Sequence, residues 1–253
     1  MVKQIIPAFK KEIVQLSENS LHLRISEFFC DTIQGEGIYA GYPAAFLRFQ
    51  HCTLDCCYCD TTEVWHQGNQ YGFNEIMDLM DQVDLPRKLF EGQHLVLTGG
   101  SPLMQQKKIV QFLDAFEKKY EFLPFIEIEN ECTIVPIPQI INKIKVWNNS
   151  PKLSGSGVPS GLRYKPEILT KLTKLKNSWF KFVVDCEEDW EEILMNFIQP
   201  GLIKKEQIII MPEGATRKAL ESNRIIALEM AIKHNVRYTD RLHIQIWDKK
   251  VGV

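Results

Sequence analysis

The chain has 253 residues, 45% hydrophobic and 25% charged, with a formal net charge of −2, the make-up of a soluble globular protein long enough to bury a full core. The near-neutral balance excludes the basic stripe of a dedicated nucleic-acid binder, and no apolar run approaches the roughly 20 residues a membrane helix needs. Met1–Ser20 is mixed in charge and lacks a small-residue cleavage pattern, which excludes a secretory signal; Ile5 to Leu16 is assigned a helical extension of unknown role. Apolar runs that fit buried strands follow at Leu21–Phe29, Ala44–Phe49, His94–Leu97, Phe125–Ile128, Trp179–Val184 and Gln207–Met211.

Helical patterns alternate with these strands. Ile76, Met77, Leu79, Met80 and Val83 follow a cap at Asn74, and Ile109, Phe112, Leu113 and Phe116 recur at helical spacing. A third helix starts near Thr216 and runs through Leu220, Ile225 and Leu228, whereas Ser154–Gly161 reads as a long loop. The alternating Leu242–Ile244–Ile246 strip is assigned a last strand. Strand–helix alternation implies an α/β fold with a mostly parallel sheet, whose site lies on the loops at the strand C-terminal ends. No repeat or low-complexity tract divides the chain, so residues 1–253 are expected to form one domain.

Seven cysteines, four of them crowded between Cys52 and Cys59, do not make a disulfide framework and point to metal or cluster chemistry in a reducing, cytoplasmic setting. Cys52, Cys56 and Cys59 form a C-x3-C-x2-C array after a strand. Three thiolates can hold a cubic iron–sulfur cluster while leaving one iron open, which S-adenosylmethionine can ligate through its amino and carboxylate groups. The alternative is zinc, because Cys56-x2-Cys59 is also zinc-knuckle spacing, but no second ligand pair follows downstream. Cys57 is expected to point away from its neighbour Cys56, as a buried or supporting thiol and not a fourth ligand, and Cys30, Cys132 and Cys186 to be small hydrophobes in or near the core.

A second motif, Thr98-Gly99-Gly100-Ser101-Pro102, ends the strand run His94–Leu97 in a turn where backbone groups can approach a ligand closely. The cysteine array followed by this turn resembles the radical S-adenosylmethionine superfamily. Thr32-Ile33-Gln34-Gly35-Glu36-Gly37, Phe46-Leu47-Arg48, Cys59-Asp60-Thr61, Ser150-Pro151-Lys152, Lys181-Phe182-Val183-Val184 and Met211-Pro212-Glu213-Gly214 are similar, in order, to the 7-carboxy-7-deazaguanine synthase family. The likeness extends from about Leu21 to the C-terminus.

The resemblance implies a partial parallel (β/α) barrel of radical S-adenosylmethionine type. It implies a ring contraction of 6-carboxy-5,6,7,8-tetrahydropterin to 7-carboxy-7-deazaguanine with loss of ammonia, on the route to queuosine-type bases. One-electron reduction from an external reductant would cleave S-adenosylmethionine to a 5′-deoxyadenosyl radical that takes hydrogen from C6 of the pterin. By the same likeness Cys52, Cys56 and Cys59 hold a [4Fe-4S] cluster, and Asp60 and Thr61 sit beside Mg2+, which prefers hard oxygen ligands. Gly99, Gly100, Ser150 and Glu129 contact S-adenosylmethionine. Gln34, Glu36, Arg48, Thr98, Gly100 and His243 contact the pterin, with Arg48 suited to its carboxylate. Homodimerisation is a further family expectation.

Two departures accompany the match. Ser101 stands where the superfamily carries glutamate, and Glu129-Asn130-Glu131-Cys132-Thr133 replaces the family's Glu-Thr-Asn-Gly-Thr. Another superfamily member, such as an activase acting on a partner protein, would share the cluster and the turn but not Gln34–Glu36 with Asp60–Thr61.

Overall fold

The computed structural model describes residues 1–8, 21–66 and 68–253. Among the described residues ten strands form one open sheet: β1 (Lys3–Ile6), β2 (His22–Ile33), β3 (Pro43–Phe49), β4 (Asn69–Gly72), β5 (His94–Gly99), β6 (Ile126–Asn130), β7 (Val146–Asn149), β8 (Ser178–Val184), β9 (Ile208–Pro212) and β10 (Arg237–Tyr238). Their order is β1-β2-β3-β5-β6-β7-β8-β9-β10, with β4 also on β2. From β3 to β10 every neighbouring pair is parallel, while β1, β3 and β4 run antiparallel to β2. This is the expected mixed α/β sheet, curved as a partial barrel and not closed.

The parallel strands are near-continuous apolar runs because helices cover their outer face. Leu95, Val96, Leu97, Ile126, Ile128, Phe180, Phe182, Ile208 and Ile210 are buried. The helix Gln106–Tyr120 lays Ile109, Phe112, Leu113 and Phe116 on the core, as their spacing predicts. The helix Phe73–Gln82 starts one residue before the expected Asn74 cap; its N-terminus is closed by Gly72, whose N–H donates to Glu75 Oε2 at 3.2 Å. Thr216 does cap the helix Arg217–His234, accepting from the Ala219 N–H at 3.1 Å. That helix buries Leu220, Ala227, Met230 and Ala231 and leaves Ile225 and Leu228 exposed, so its apolar pattern does not mark its inner face.

Three assignments change. The N-terminal segment begins as a strand, because Lys3–Ile6 completes hydrogen bonding along the edge of β2; the rest of the expected helix, from residue 9 on, lies outside the described residues. The Leu242–Ile244–Ile246 strip is a helix, Leu242–Trp247, since Arg241 is anchored by side-chain bonds and Leu242 N–H donates to Gly35 O at 2.9 Å, turning the chain before a strand can form. The Ser154–Gly161 stretch contains single turns at Ser154–Ser156 and from Ser160. Strand β7, Val-Trp-Asn-Asn, is too short and polar to be legible by periodicity.

Parallel register levels the strand ends on one side of the sheet. Glu27 pairs with Arg48, Arg48 with Thr98, and Glu129 with Asn148. Because side chains alternate faces along a strand, this row points its functional groups to a common side.

Candidate active site

A cavity of about 210 Å³ opens at these strand ends. Cys52, Cys56 and Cys59 line it; Cys57 does not. Cys57 is exposed and its thiol donates to Gly155 O at 3.4 Å, while its N–H donates to Ser156 O. The loop reverses through His51 (φ 71°) and Asp55 (φ 61°), left-handed positions that let a short segment wrap inward.

Two of the three thiols accept hydrogen bonds. Trp65 Nε1–H points at Cys59 Sγ (3.5 Å), and Cys52 Sγ accepts from the Leu54 N–H (3.4 Å) and the Ser101 hydroxyl (3.9 Å). Such donors stabilise cluster sulfurs and tune their potential. Burial pushes the Cys56 thiol up to about 11, so that thiol needs a bound cation to ionise at neutral pH. Among the described residues, only Asp185, Cys186 and Asp189 bring three ligand atoms within 4.8 Å of one another, so the cavity thiols do not close on a single ion as a zinc knuckle would.

Gly99 and Gly100 line the same cavity beneath the cysteine loop. A Cβ at Gly99 (φ 136°) would lie 2.3 Å from Phe49 O, and one at Gly100 would lie 2.0 Å from His51 O and 2.7 Å from Cys52 Cβ. The glycines therefore let two backbones cross in contact, a task separate from ligand binding. Ser101 N–H donates to His51 O at 2.8 Å, and its hydroxyl accepts from the Thr53 N–H at 3.0 Å. Ser101 is fully buried and fastens the cysteine loop to the turn.

A second wall carries charge. Glu36 is ion-paired with Lys181 and, at 2.9 Å, with Arg241, and His243 Nε2 is 3.8 Å from it. Arg241 also pairs with Asp60 and donates to Gly214 O at 2.6 Å. Burial alone would raise the Glu36 pKa, but Lys181, Arg241 and His243 outweigh it and hold the carboxyl well below the usual range. The same contest, decided by Arg241, His243 and Arg48, keeps Asp60 ionised. Arg48 donates from Nε to Glu27 Oε1 at 2.7 Å. Gln34 is buried, with its amide nitrogen 3.5 Å from Glu127 Oε2 and its oxygen accepting from the Glu36 N–H. Thr98 donates to Glu129 Oε2 at 2.6 Å, and Ser150 accepts from Lys152 Nζ at 2.8 Å.

Every residue expected from the sequence to hold the cluster, S-adenosylmethionine, the pterin or Mg2+ thus borders this one cavity, including Thr61, Asp60 and His243. Asp60, expected beside Mg2+, is engaged by Arg241, and His243 comes from a helix. Sequence reasoning assigned no role to Lys181, Arg241, Glu27 or Glu131. Lys181 and Glu131 lay inside quoted motifs; Glu27 and Arg241 act through partners 21 and 205 residues away, which no local pattern shows.

The fold and the cavity define a radical S-adenosylmethionine enzyme with an iron–sulfur cluster. Residues 33–127 match the family described as a 4Fe-4S single cluster domain. The chain is 30% identical over 232 residues to the 7-carboxy-7-deazaguanine synthase of Pyrobaculum aerophilum, covering 91% of this chain and 97% of that one. It is 28% identical over 240 residues to the synthase of Halobacterium salinarum, covering 89% and 91%. The crystal structure of QueE from Escherichia coli shares the fold, with a TM-score of 0.62 at 22% identity, over 88% of this chain and 95% of that chain. The chain belongs to the 7-carboxy-7-deazaguanine synthase family.

Proposed function

We propose that this chain converts 6-carboxy-5,6,7,8-tetrahydropterin to 7-carboxy-7-deazaguanine with loss of ammonia. The observation that carries the reading is that one cavity holds the three thiols, the Gly-Gly turn and the Gln34–Glu36–Arg48 wall together. When bound, the cluster and S-adenosylmethionine supply a hydrogen-abstracting radical. The protein's own work is to hold the pterin so that one hydrogen faces that radical, and to keep water out.

Cys52, Cys56 and Cys59 would hold the cluster, with Gly99, Gly100, Ser150 and Glu129 against S-adenosylmethionine. Arg48 spends its Nε on Glu27, which leaves its two terminal nitrogens to clamp the substrate carboxylate end-on. Gln34, Glu36, Thr98 and Gly100 would read the polar edge of the pterin. Lys181 and Arg241 keep Glu36 ionised and aimed, so that it presents acceptors to the ring N–H groups. His243 would close the cavity over the ring. Thr61 and Asp60 would hold Mg2+, which would supply positive charge for the substrate carboxylate, while Arg241 also engages Asp60.

A cavity of about 210 Å³ suits a small molecule better than a polypeptide loop, which favours the pterin over an activase's partner protein. The reading includes a single domain, a homodimer, a cytoplasmic setting and an external one-electron reductant. Among the described residues no helix is long and apolar enough to cross a membrane.

The test is incubation of reconstituted protein with the carboxytetrahydropterin, S-adenosylmethionine, Mg2+ and reductant. The expected product is the carboxydeazaguanine. A cluster-replete protein that cleaves the cofactor yet makes none would refute the substrate assignment.

A further inference from the structure

Behind two residues that line the cavity, Gln34 and Asn148, lies a buried carboxyl that the proposed reaction does not use. Glu127, on β6, is fully buried, and so, at the start of β5, is His94. Glu127 Oε1 is 2.7 Å from His94 Nδ1. Its Oε2 accepts from Asn148 Nδ2 at 2.8 Å and lies 3.5 Å from Gln34 Nε2. A buried carboxyl left without partners is costly, and these three satisfy both of its oxygens.

The same pair supports the loop 34–42, which links β2 to β3. Gln34 meets Glu127 directly, and Gly37 meets it through Asn148: a Cβ at Gly37 (φ 74°) would lie 3.0 Å from Asn148 Oδ1. Glu36 sits between these two points of support. The far end of the loop packs on His94, whose ring is stacked between Tyr42 at 4.1 Å and Phe125 at 4.0 Å, with Tyr39 edge-on at 4.8 Å. Paired with His94, the carboxylate acts only as an acceptor, so both amides turn their NH2 ends to it. Gln34 Oε1 is thereby left for the Glu36 N–H, which it takes at 3.3 Å. The Gln34 backbone is pinned too, donating to Tyr42 O and accepting from the Gly41 N–H, each at 2.7 Å. One orientation of the Gln34 amide remains, and with it one pattern of donor and acceptor beside Glu36. We infer that Glu127, held by His94, is a positioning residue that fixes the Gln34–Glu36 segment and so sets which ring edge the cavity accepts. This rests on the proposed function, in which Gln34 and Glu36 read the pterin.

The test compares the carboxytetrahydropterin with its 2,4-dioxo analogue, which keeps the carboxylate but carries a carbonyl in place of the 2-amino group. Affinity for each is measured by anaerobic equilibrium dialysis with cluster-loaded protein and S-adenosylmethionine, without reductant. Glu127→Gln keeps the volume but can offer either end of an amide, which frees Gln34 to turn. The wild-type preference for the amino-bearing ring is expected to fall about tenfold, the scale of a hydrogen bond to a charged group, while iron content and S-adenosylmethionine affinity hold. Gln34→Ala should lower the preference as well, and the double variant should lose less than the two single changes combined. Equal weakening of both rings, no change in either, or additive losses overturn the inference and leave Glu127 as a strut of the fold. Should Glu127→Gln fail to fold or to take up iron, Glu127→Asp keeps the charge for His94 and withdraws it from Gln34; the same fall is expected, and an unchanged preference overturns the inference. A wild type that makes the deazaguanine beside a Glu127→Gln variant of full preference sinks the inference alone. Wild-type protein that binds neither ring sinks the inference and the proposed function together.

Discussion

The two walls of the cavity are built in opposite ways. The cysteine wall comes from one short segment, Cys52–Cys59, pinned from below by the turn that carries Gly99, Gly100 and Ser101, through contacts about 50 residues apart. The charged wall is assembled from separate parts of the chain: Lys181 is 145 residues from Glu36, and Arg241 is 205 from Glu36 and 181 from Asp60. The first wall depends on local spacing and on small residues that let backbones meet. The second depends on the sheet bringing β8 and the C-terminal helix to the end of β2, so it exists only in the folded protein.

The largest effect should come from the local wall. Cys52→Ala, Cys56→Ala and Cys59→Ala are each expected to lose the cluster, read as iron and sulfide per chain and the brown absorbance. Cys57→Ala should keep it, because that thiol faces Gly155 and not the cavity. A requirement for Cys57 with one of the other three dispensable would reverse the ligand assignment.

The charged wall should respond through stability as well as turnover. Arg241→Met leaves Glu36 short of one cation and Asp60 without its guanidinium partner. Breaking a buried pair on one side costs about 3–5 kcal/mol, so a large drop in the urea midpoint is expected. Iron content should hold if the walls are independent, and loss of both together would show that they are one unit.

A smaller effect is expected with pH. The Glu36 pKa is depressed in the folded state, so its contribution to stability is present above the ordinary carboxylate value of about 4.3 and is lost as pH falls below it. The stability gap between wild-type apoprotein and Glu36→Gln should therefore be constant from pH 7 to about 5 and narrow in more acid solution. A gap that stays level into acid would mean that Glu36 is not held by its cations.

Local order was enough for much of this protein. The six apolar runs, the helix around Ile109–Phe116 and the Thr216 cap are set by periodicity and capping, which act over a few residues. The cysteine spacing and the Gly-Gly turn announce a cluster and a close backbone approach for the same reason. The ordered motifs from Gln34 to Gly214 named the family, and with it the residues that border the cavity.

Only the tertiary structure decided the rest. Lys3–Ile6 is a strand because β2 offers an open edge, and Leu242–Trp247 is a helix because Arg241 is captured by Glu36 and Asp60. Glu131 stands in a quoted motif with no role assigned to it; that it is buried and accepts from Thr53 is decided only once the chain after β6 meets the cysteine loop. Composition and spacing act along the chain, whereas buried charges are assigned by partners that folding brings from far away.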